Sequence, residues 1–399
     1  MKRFPEGIEN VINGDIFAYA AGRQFERWID SVGGATRDEG HSVNGIILTP
    51  SGIIESILRD EVFVERDLRV STVTSTTLII VSGLKSSVDD YYNNAIYYNV
   101  TTGHKTYVSD YTGSTKTLTL AAADTSATAA DNIYLTNIQG DNKINYQSFD
   151  VIGNTTSGTR KDWLFGRSIN SFSTPQALIE QLCFESHSIL LDTYDGYKFL
   201  SLDEAASADT WTVPLTRNSE RELVSGRLSP LSDIYTDFRL KYAFDYASGT
   251  YKKEFFVNRD VVSSNASILG ATEKTKCANA ETDYKVKKYF EYSSDWIYDD
   301  NTAEYLLQKL VNWLTKQYAI VTWAGEFNSH IKYEIGDQVI LNYANMVPTG
   351  INNSSKFIIF SKEINPLTPS VTFQLLEVGA GISVLGYGSR YGSSYGRGY

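Results

Sequence analysis

The chain has 399 residues, 42% hydrophobic and 21% charged, which describes a folded protein of roughly two to four domains and excludes a fibrous or disordered one. Its formal net charge of −11 argues against gripping a phosphate backbone, because the polyanion would be repelled instead of releasing counterions. It leaves open a role in which DNA slides past without adhering, and equally plain solubility. Two cysteines, Cys183 and Cys277, cannot make a disulfide framework and lack zinc-finger spacing; a reducing compartment suits them, with a single bridge left open.

The opening MKRFPEGIEN has no apolar core of a secretory signal, and no run reaches the length of a bilayer span, so a soluble product is expected. Aromatic residues reach 13%, mainly 27 Tyr and 18 Phe, which favours half-buried sheet and protein–protein contact. The first helix is expected after Thr49-Pro50, where Thr caps and Pro fits the first turn, with Ile53, Ile54, Ile57 and Leu58 on one face. Residues 69–137 change texture, being dense in Ser, Thr, Tyr and Asn. Short strands such as Thr77–Val81 and Thr115–Leu120 are separated by turn signals, and Ser148–Val151 continues the theme. This stretch reads as a small β module inserted in a host-domain loop. A second Thr-Pro helix begins at Thr174-Pro175 with Leu178, Ile179 and Leu182 as its stripe, extended by Cys183 and Ser186. A hairpin follows over 188–202, turning at Asp195-Gly196. Another pair is expected at Phe238–Tyr246 and Tyr251–Val257 around Ser248-Gly249.

The third helix is expected from Asn301, with Glu304 completing a capping box and Ala303, Leu306, Leu307, Leu310, Val311 and Leu314 at helical spacing. Three strands then read as Gln338–Tyr343, Phe357–Ile364 and Ser370–Val378. Helices and strands do not alternate, so the class is mainly β with a few helices, and not a doubly wound sheet. The last stretch, 379–399, repeats Gly, Ser and Tyr; it cannot build a core, and reads as a flexible tail or as a row of Tyr that docks on a partner.

Chemistry is sparse. His41, His104, His187 and His330 show no paired metal spacing, and no GxSxG, Walker A or GxGxxG sequence occurs. Cys183 and His187 stand four apart on the second helix, as a catalytic or metal pair would, but no orienting carboxylate accompanies them. Glu326, Glu334 and Asp337 are close enough in sequence to raise a glycosidase, although 47 acidic residues make such neighbours by chance. Sequons such as Asn154-Thr-Thr carry no weight without secretion. No catalytic, cofactor or metal residue is assigned.

Two stretches resemble the hub proteins of bacteriophage tail tips and baseplates. The first is Trp163 to Ile169 (WLFGRSI), the Thr174-Pro175 helix, then Leu182 to Asp192 and the DGYKF run from Asp195. The second runs from the Asn301 helix to Tyr333–Leu341 (YEIGDQVIL) and the two strands after it. In this reading Gly336 takes positive φ in a tight turn launching the strand. The insertion, with its DDYY run at Asp89 and YVSDYTGS run at Tyr107, resembles a β module common in phage tail and fibre proteins. The resemblance implies tube-like β-barrel domains: a first hub barrel at 1–68 and 138–215, the insertion at 69–137, a middle β region at 216–300, and a second hub barrel at 301–378. It further implies a homotrimer bridging the tail tube (or distal tail protein) and a spike or central fibre. DNA would pass through without specific binding, at the tail tip of a virion assembled in the host cytoplasm. Alternatives are a receptor- or glycan-binding tail protein using the insertion, and a tail-associated glycosidase.

Overall fold

The computed structural model describes residues 42–43, 46–47, 49–138, 144–153, 162–167, 173–193, 196–203, 208–212, 223–342, 355–365 and 370–378. The 379–399 tail, Asp195 of the expected hairpin turn, His41 and the Asn154 sequon lie outside them. Two compact units are distinguished, Met1–Ser186 with Tyr194–Phe199, and His187–Thr193 with Leu200–Tyr399.

In the first unit, short strands β1 (Ser42–Val43) and β2 (Ile46–Ile47) precede helix α1 (Pro50–Ile57). Pro50 opens α1 as expected, but the Thr49 side chain makes no capping bond; the first-turn backbone is closed instead by Ile53 N donating to Thr49 O at 3.0 Å. Ile53, Ile54, Ile57 and Leu58 are buried, each such side chain contributing about 1.5–3 kcal/mol. The polar side of α1 is buried as well. Glu55 and Arg59 are 3% and 2% exposed and face each other at 3.8 Å, as the helix runs into a π turn at Leu58–Val62.

From there the chain forms a closed six-stranded barrel in the order β3-β4-β7-β6-β5-β8. Its strands are β3 (Glu65–Ser75), β4 (Leu78–Ser82), β5 (Ile96–Asn99), β6 (Lys105–Thr112), β7 (Thr117–Leu120) and β8 (Asn132–Thr136). Alternate residues point inward, so Leu68, Val70, Ile79, Val81, Val108, Leu118, Ile133 and Leu135 fill the interior. Both mouths are plugged. At one, Asn99 Nδ2 donates to Asp124 at 2.9 Å and Asp131 at 3.0 Å, and the Tyr97 hydroxyl donates to Asp124 at 3.2 Å. At the other, Tyr92 donates to Glu65 at 2.7 Å while Tyr111 donates to Ser86 O at 2.7 Å. Gly113 is fixed by this closure, since a Cβ there would lie 2.2 Å from the Ser87 carbonyl oxygen. The barrel begins and ends side by side: Glu65 pairs with Leu135, and Asn137 and Ile138 donate to Arg59 O and Phe63 O at 2.9 and 3.0 Å.

Residues 148–151, read from sequence as continuing the strand-and-turn theme, lie instead in helix α2 (Tyr146–Gly153). The reason is Asn145, whose Oδ1 accepts from Ser148 N at 3.1 Å and so starts a helix. Phe149 and Ile152 then repeat at helical spacing on the buried face, and Phe149 meets Phe199 at 5.5 Å. Helix α3 (Pro175–Glu185) is capped as expected, with Thr174 Oγ1 accepting from Ala177 N at 3.2 Å. Next in the chain come β9 (Ser188–Thr193), which belongs to the second unit, and β10 (Gly196–Ser201).

Among the described residues, two sheets lie wholly in the second unit. The larger has the order β11-β17-β18-β19-β16-β12, from β11 (Asp209–Thr212), β12 (Leu223–Leu228), β16 (Ala319–Glu326), β17 (Gln338–Asn342), β18 (Lys356–Asn365) and β19 (Ser370–Val378). One face carries the core: Trp211, Val321, Trp323, Val339, Leu341, Phe357, Ile359, Val371, Phe373 and Leu375. The smaller sheet, β14-β13-β15, is made of β13 (Asp237–Asp245), β14 (Thr250–Val257) and β15 (Tyr289–Ser293). Helices α4 (Ala271–Tyr284) and α5 (Asp300–Leu314) cover its Phe238, Leu240, Tyr242, Phe255 and Val257 face. Helix α4 was not expected, because its Lys, Thr, Asn and Glu content gives it almost no apolar stripe beyond Cys277 and Ala280. A last short helix, α6 (Phe327–His330), follows β16.

The third expected helix is displaced at its start. Asp299 caps α5, its side chain accepting from Thr302 N at 2.9 Å, and the Asn301–Glu304 capping box does not form. Glu304 turns inward, 2% exposed, where it accepts from Ser267 N and Oγ, Ile268 N and Leu269 N at 2.5–3.1 Å. Burial raises a carboxyl, yet these donors hold Glu304 below the ordinary carboxylate range.

Two expected outcomes follow. Asn99→Leu strips Asp124 and Asp131 of a donor and lowers barrel stability by about 2–4 kcal/mol at neutral pH, read by urea unfolding. Burial would raise the Asp131 carboxyl, but bonds from Asn99 and Thr128 depress it below 3.8. Its contribution is therefore present above that ordinary value and lost as pH falls through the lower folded one, so the gap between variant and parent narrows in that acid window. Glu304→Gln weakens the cradle by about 1–3 kcal/mol at neutral pH, and this cost likewise shrinks in acid, below the ordinary 4.5 of the glutamate, checked by the same unfolding series.

Candidate functional site

The residues raised from sequence do not converge on chemistry. Helix α3 ends at Glu185, so Cys183 is helical while His187 lies beyond the helix in left-handed backbone, φ 50°. The two therefore do not share a helical face. Both cysteines are free, and burial pushes the Cys277 thiol up to about 12, which leaves it unreactive. Glu334 pairs with Lys362 at 2.8 Å, Asp337 accepts from Glu334 N at 2.9 Å, and Glu326 accepts from Ser329 Oγ at 3.1 Å. These carboxylates build turns. Among the described residues, no cluster of three or more His, Cys, Asp and Glu is arranged to hold a metal.

The Gly336 turn is the sequence feature that the structure bears out most directly. Gly336 has φ 96°, and a Cβ there would sit 2.1 Å from Leu200 Cδ1. Its N–H donates to Ile359 O at 2.7 Å, and Ile359 N donates back to Asp337 O at 2.9 Å. The turn thus launches β17 and locks it to β18. Beside it, Trp211 stands at 4.5 Å from Trp323, 5.0 Å from Phe373 and 4.9 Å from Tyr333, whose hydroxyl donates to Asp209 at 2.7 Å.

A cleft of ≈ 230 Å³ lies in the second unit, and nothing in the sequence pointed to it. Helix α5 contributes Lys309, Asn312 and Trp313 at i, i+3 and i+4, the face opposite its leucine stripe. Asp203 and Leu202 come from the segment after β10, and His187 from before β9. Lys309 Nζ bonds both Asp203 oxygens at 3.0 and 2.9 Å, while Gln338 Nε2 holds Asp203 O at 2.9 Å. Trp313 stacks on Tyr318, centroids 4.2 Å apart, and His187 meets Trp313 edge-on at 5.3 Å. Tyr318 is anchored by donating to Asn312 O at 3.1 Å, and Lys276 bonds Asn312 Oδ1. Burial raises the Glu377 carboxyl and lowers the Lys316 amine. The cleft could not be read from sequence because its walls come from separate segments, residues 187, 202–203 and 309–318, the last more than a hundred residues from the others.

The outer face of the small sheet is different, a ladder of exposed ion pairs: Arg239–Glu254 at 3.9 Å, Lys252–Asp245 at 3.1 Å, and Lys241–Glu291. Exposed pairs contribute about 0–1 kcal/mol each, so this face is solvated more than it is stapled. No described helix is long and apolar enough to cross a membrane.

No protein-family model and no curated protein matches the chain. Solved structures similar to parts of it include a tail protein from Neisseria meningitidis MC58, at 8% identity and TM-score 0.33 over 55% of this chain and 59% of that one. A gene transfer agent virion protein matches at 13% identity and TM-score 0.35, over 66% and 64% of the two chains. A prophage tail protein from Listeria monocytogenes EGD-e matches at 12% identity and TM-score 0.33, over 83% and 94%. This chain thus spans less than two thirds of the first two. They are tail and virion components, the class the sequence resemblance named, but at these identities and TM-scores they carry no functional weight alone.

Gly336→Ala should lower the urea midpoint by a loss of about 1–3 kcal/mol from backbone strain, and more if Leu200 cannot move, without altering the barrel's own transition.

Proposed function

We propose that this chain is a structural subunit of a bacteriophage tail, a hub at the distal tip that joins the tail tube to a spike or central fibre. The observation supporting it is the course of 301–378: helix α5, then the Gly336-Asp337 turn, then β17, β18 and β19 in one antiparallel array, the order the tail-hub resemblance implies. Function is then geometric. The chain closes the tube, matches symmetries, and leaves a way for DNA without binding it, which suits its net charge of −11. The six-stranded barrel cannot itself be that way, because its interior is filled and both mouths are plugged. The passage would lie between copies, three of them, packed through broad aromatic-containing contacts.

The mass of the purified chain tests this. Three copies, in solution or on added tail-tube protein, are expected; a single copy in both settings would overturn the hub. Replacing 65–136 by a short Gly/Ser linker separates the hub from a receptor binder that uses the barrel. The ends of the barrel are adjacent, so the shortened chain keeps its fold and, as a hub, still assembles.

A further inference from the structure

We propose that the Asp203–Lys309–Trp313 cleft binds one neutral sugar ring, a hexopyranose unit free or at the end of a glycan. The proposal stands apart from the tail reading, since it concerns the cleft alone. Three features select this ligand class. The first is size: ≈ 230 Å³ is below the about 300–1,000 Å³ of sites for drug-sized ligands, so the occupant is a single ring. The second is charge. Asp203 and Lys309 neutralise each other through two hydrogen bonds of 2.9 and 3.0 Å. An anion would meet the carboxylate and a cation the ammonium, whereas neutral hydroxyls can accept from one and donate to the other. The third is the wall. Trp313, stacked on Tyr318 at 4.2 Å and in T-shaped contact with His187 at 5.3 Å, lines the cleft as an aromatic wall. A pyranose has a face of C–H groups, polarised to suit the electron-rich face of an aromatic ring, and a rim of hydroxyls for the polar groups.

The platform is preorganised. Tyr318 is held by Asn312 O, Asn312 by Lys276, and Asp203 by Gln338, so little side-chain freedom remains to be lost on binding. Recognition is the expected action, with both ionisable groups of the pair already engaged with each other.

The test is ligand-observed NMR on the full chain with glucose, galactose, N-acetylglucosamine and rhamnose, with inorganic phosphate and ammonium as charged controls. Saturable binding of at least one sugar in the millimolar range is expected, weakened tenfold or more in Trp313→Ala, largely kept in Trp313→Phe, and weakened in Asp203→Asn. Asp203 is about one third exposed, so that variant folds even if Trp313→Ala does not. No saturable signal from any of the four sugars, a signal unchanged by both Trp313→Ala and Asp203→Asn, or saturation by phosphate or ammonium instead, would overturn the assignment.

Discussion

A carboxylate taken out of water must be met by donors, and this acidic chain places several of its acids inside. Glu65, Asp124, Asp131, Glu185, Glu304 and Glu377 are all at most 7% exposed. Several long-range closures use one of them. Glu65 anchors one mouth of the barrel and Asp124 with Asp131 the other; Glu304 holds the loop that leads into α4; Glu377 accepts from Ala319 N at 3.0 Å where β16 starts. Part of the negative charge that composition assigned to solubility is thus structural. It is also why these regions are intolerant: removing a donor leaves a charge in a poorly solvated place, which costs more than the bond returned.

How legible the fold was depended on where its constraints lie. Strands β13, β14, β17, β18 and β19 were readable because apolar residues alternate along them and turn residues bound them, and the Gly336 turn because only glycine fits it. Helices α2 and α4 were not. Asn145 starts α2 beside a β-like composition, and α4 buries only Glu273, Cys277 and Ala280, too few to print a stripe. The start of α5 was misplaced by two residues because Asn301 and Glu304 imitate a capping box, while the capping acid is Asp299 and Glu304 serves a loop more than thirty residues away. The cleft was beyond reach, since Asp203 and Lys309 are 106 residues apart and only the fold introduces them.

The resemblance expected tube-like closure in the hub segments. Among the described residues the closed barrel is at Glu65–Thr136, and the sheet containing 319–378 ends on two edge strands, β11 and β12. The two architectures suit different work. A closed sheet has no unpaired backbone and is inert to strand addition, whereas an edge offers a row of N–H and C=O groups to another chain.

The same strand order governs when each part can form as the chain is made. The barrel has its full complement of strands once Thr136 leaves the ribosome. The large sheet receives β19, which sits between β18 and β16, last of all. Until Ser370–Val378 emerges, β16 and β18 each lack the neighbour they share, and their apolar faces stand open to water and to other nascent chains. A chain that stops before Ser370 therefore lacks the strand that seals the sheet and carries a half-built template for aggregation.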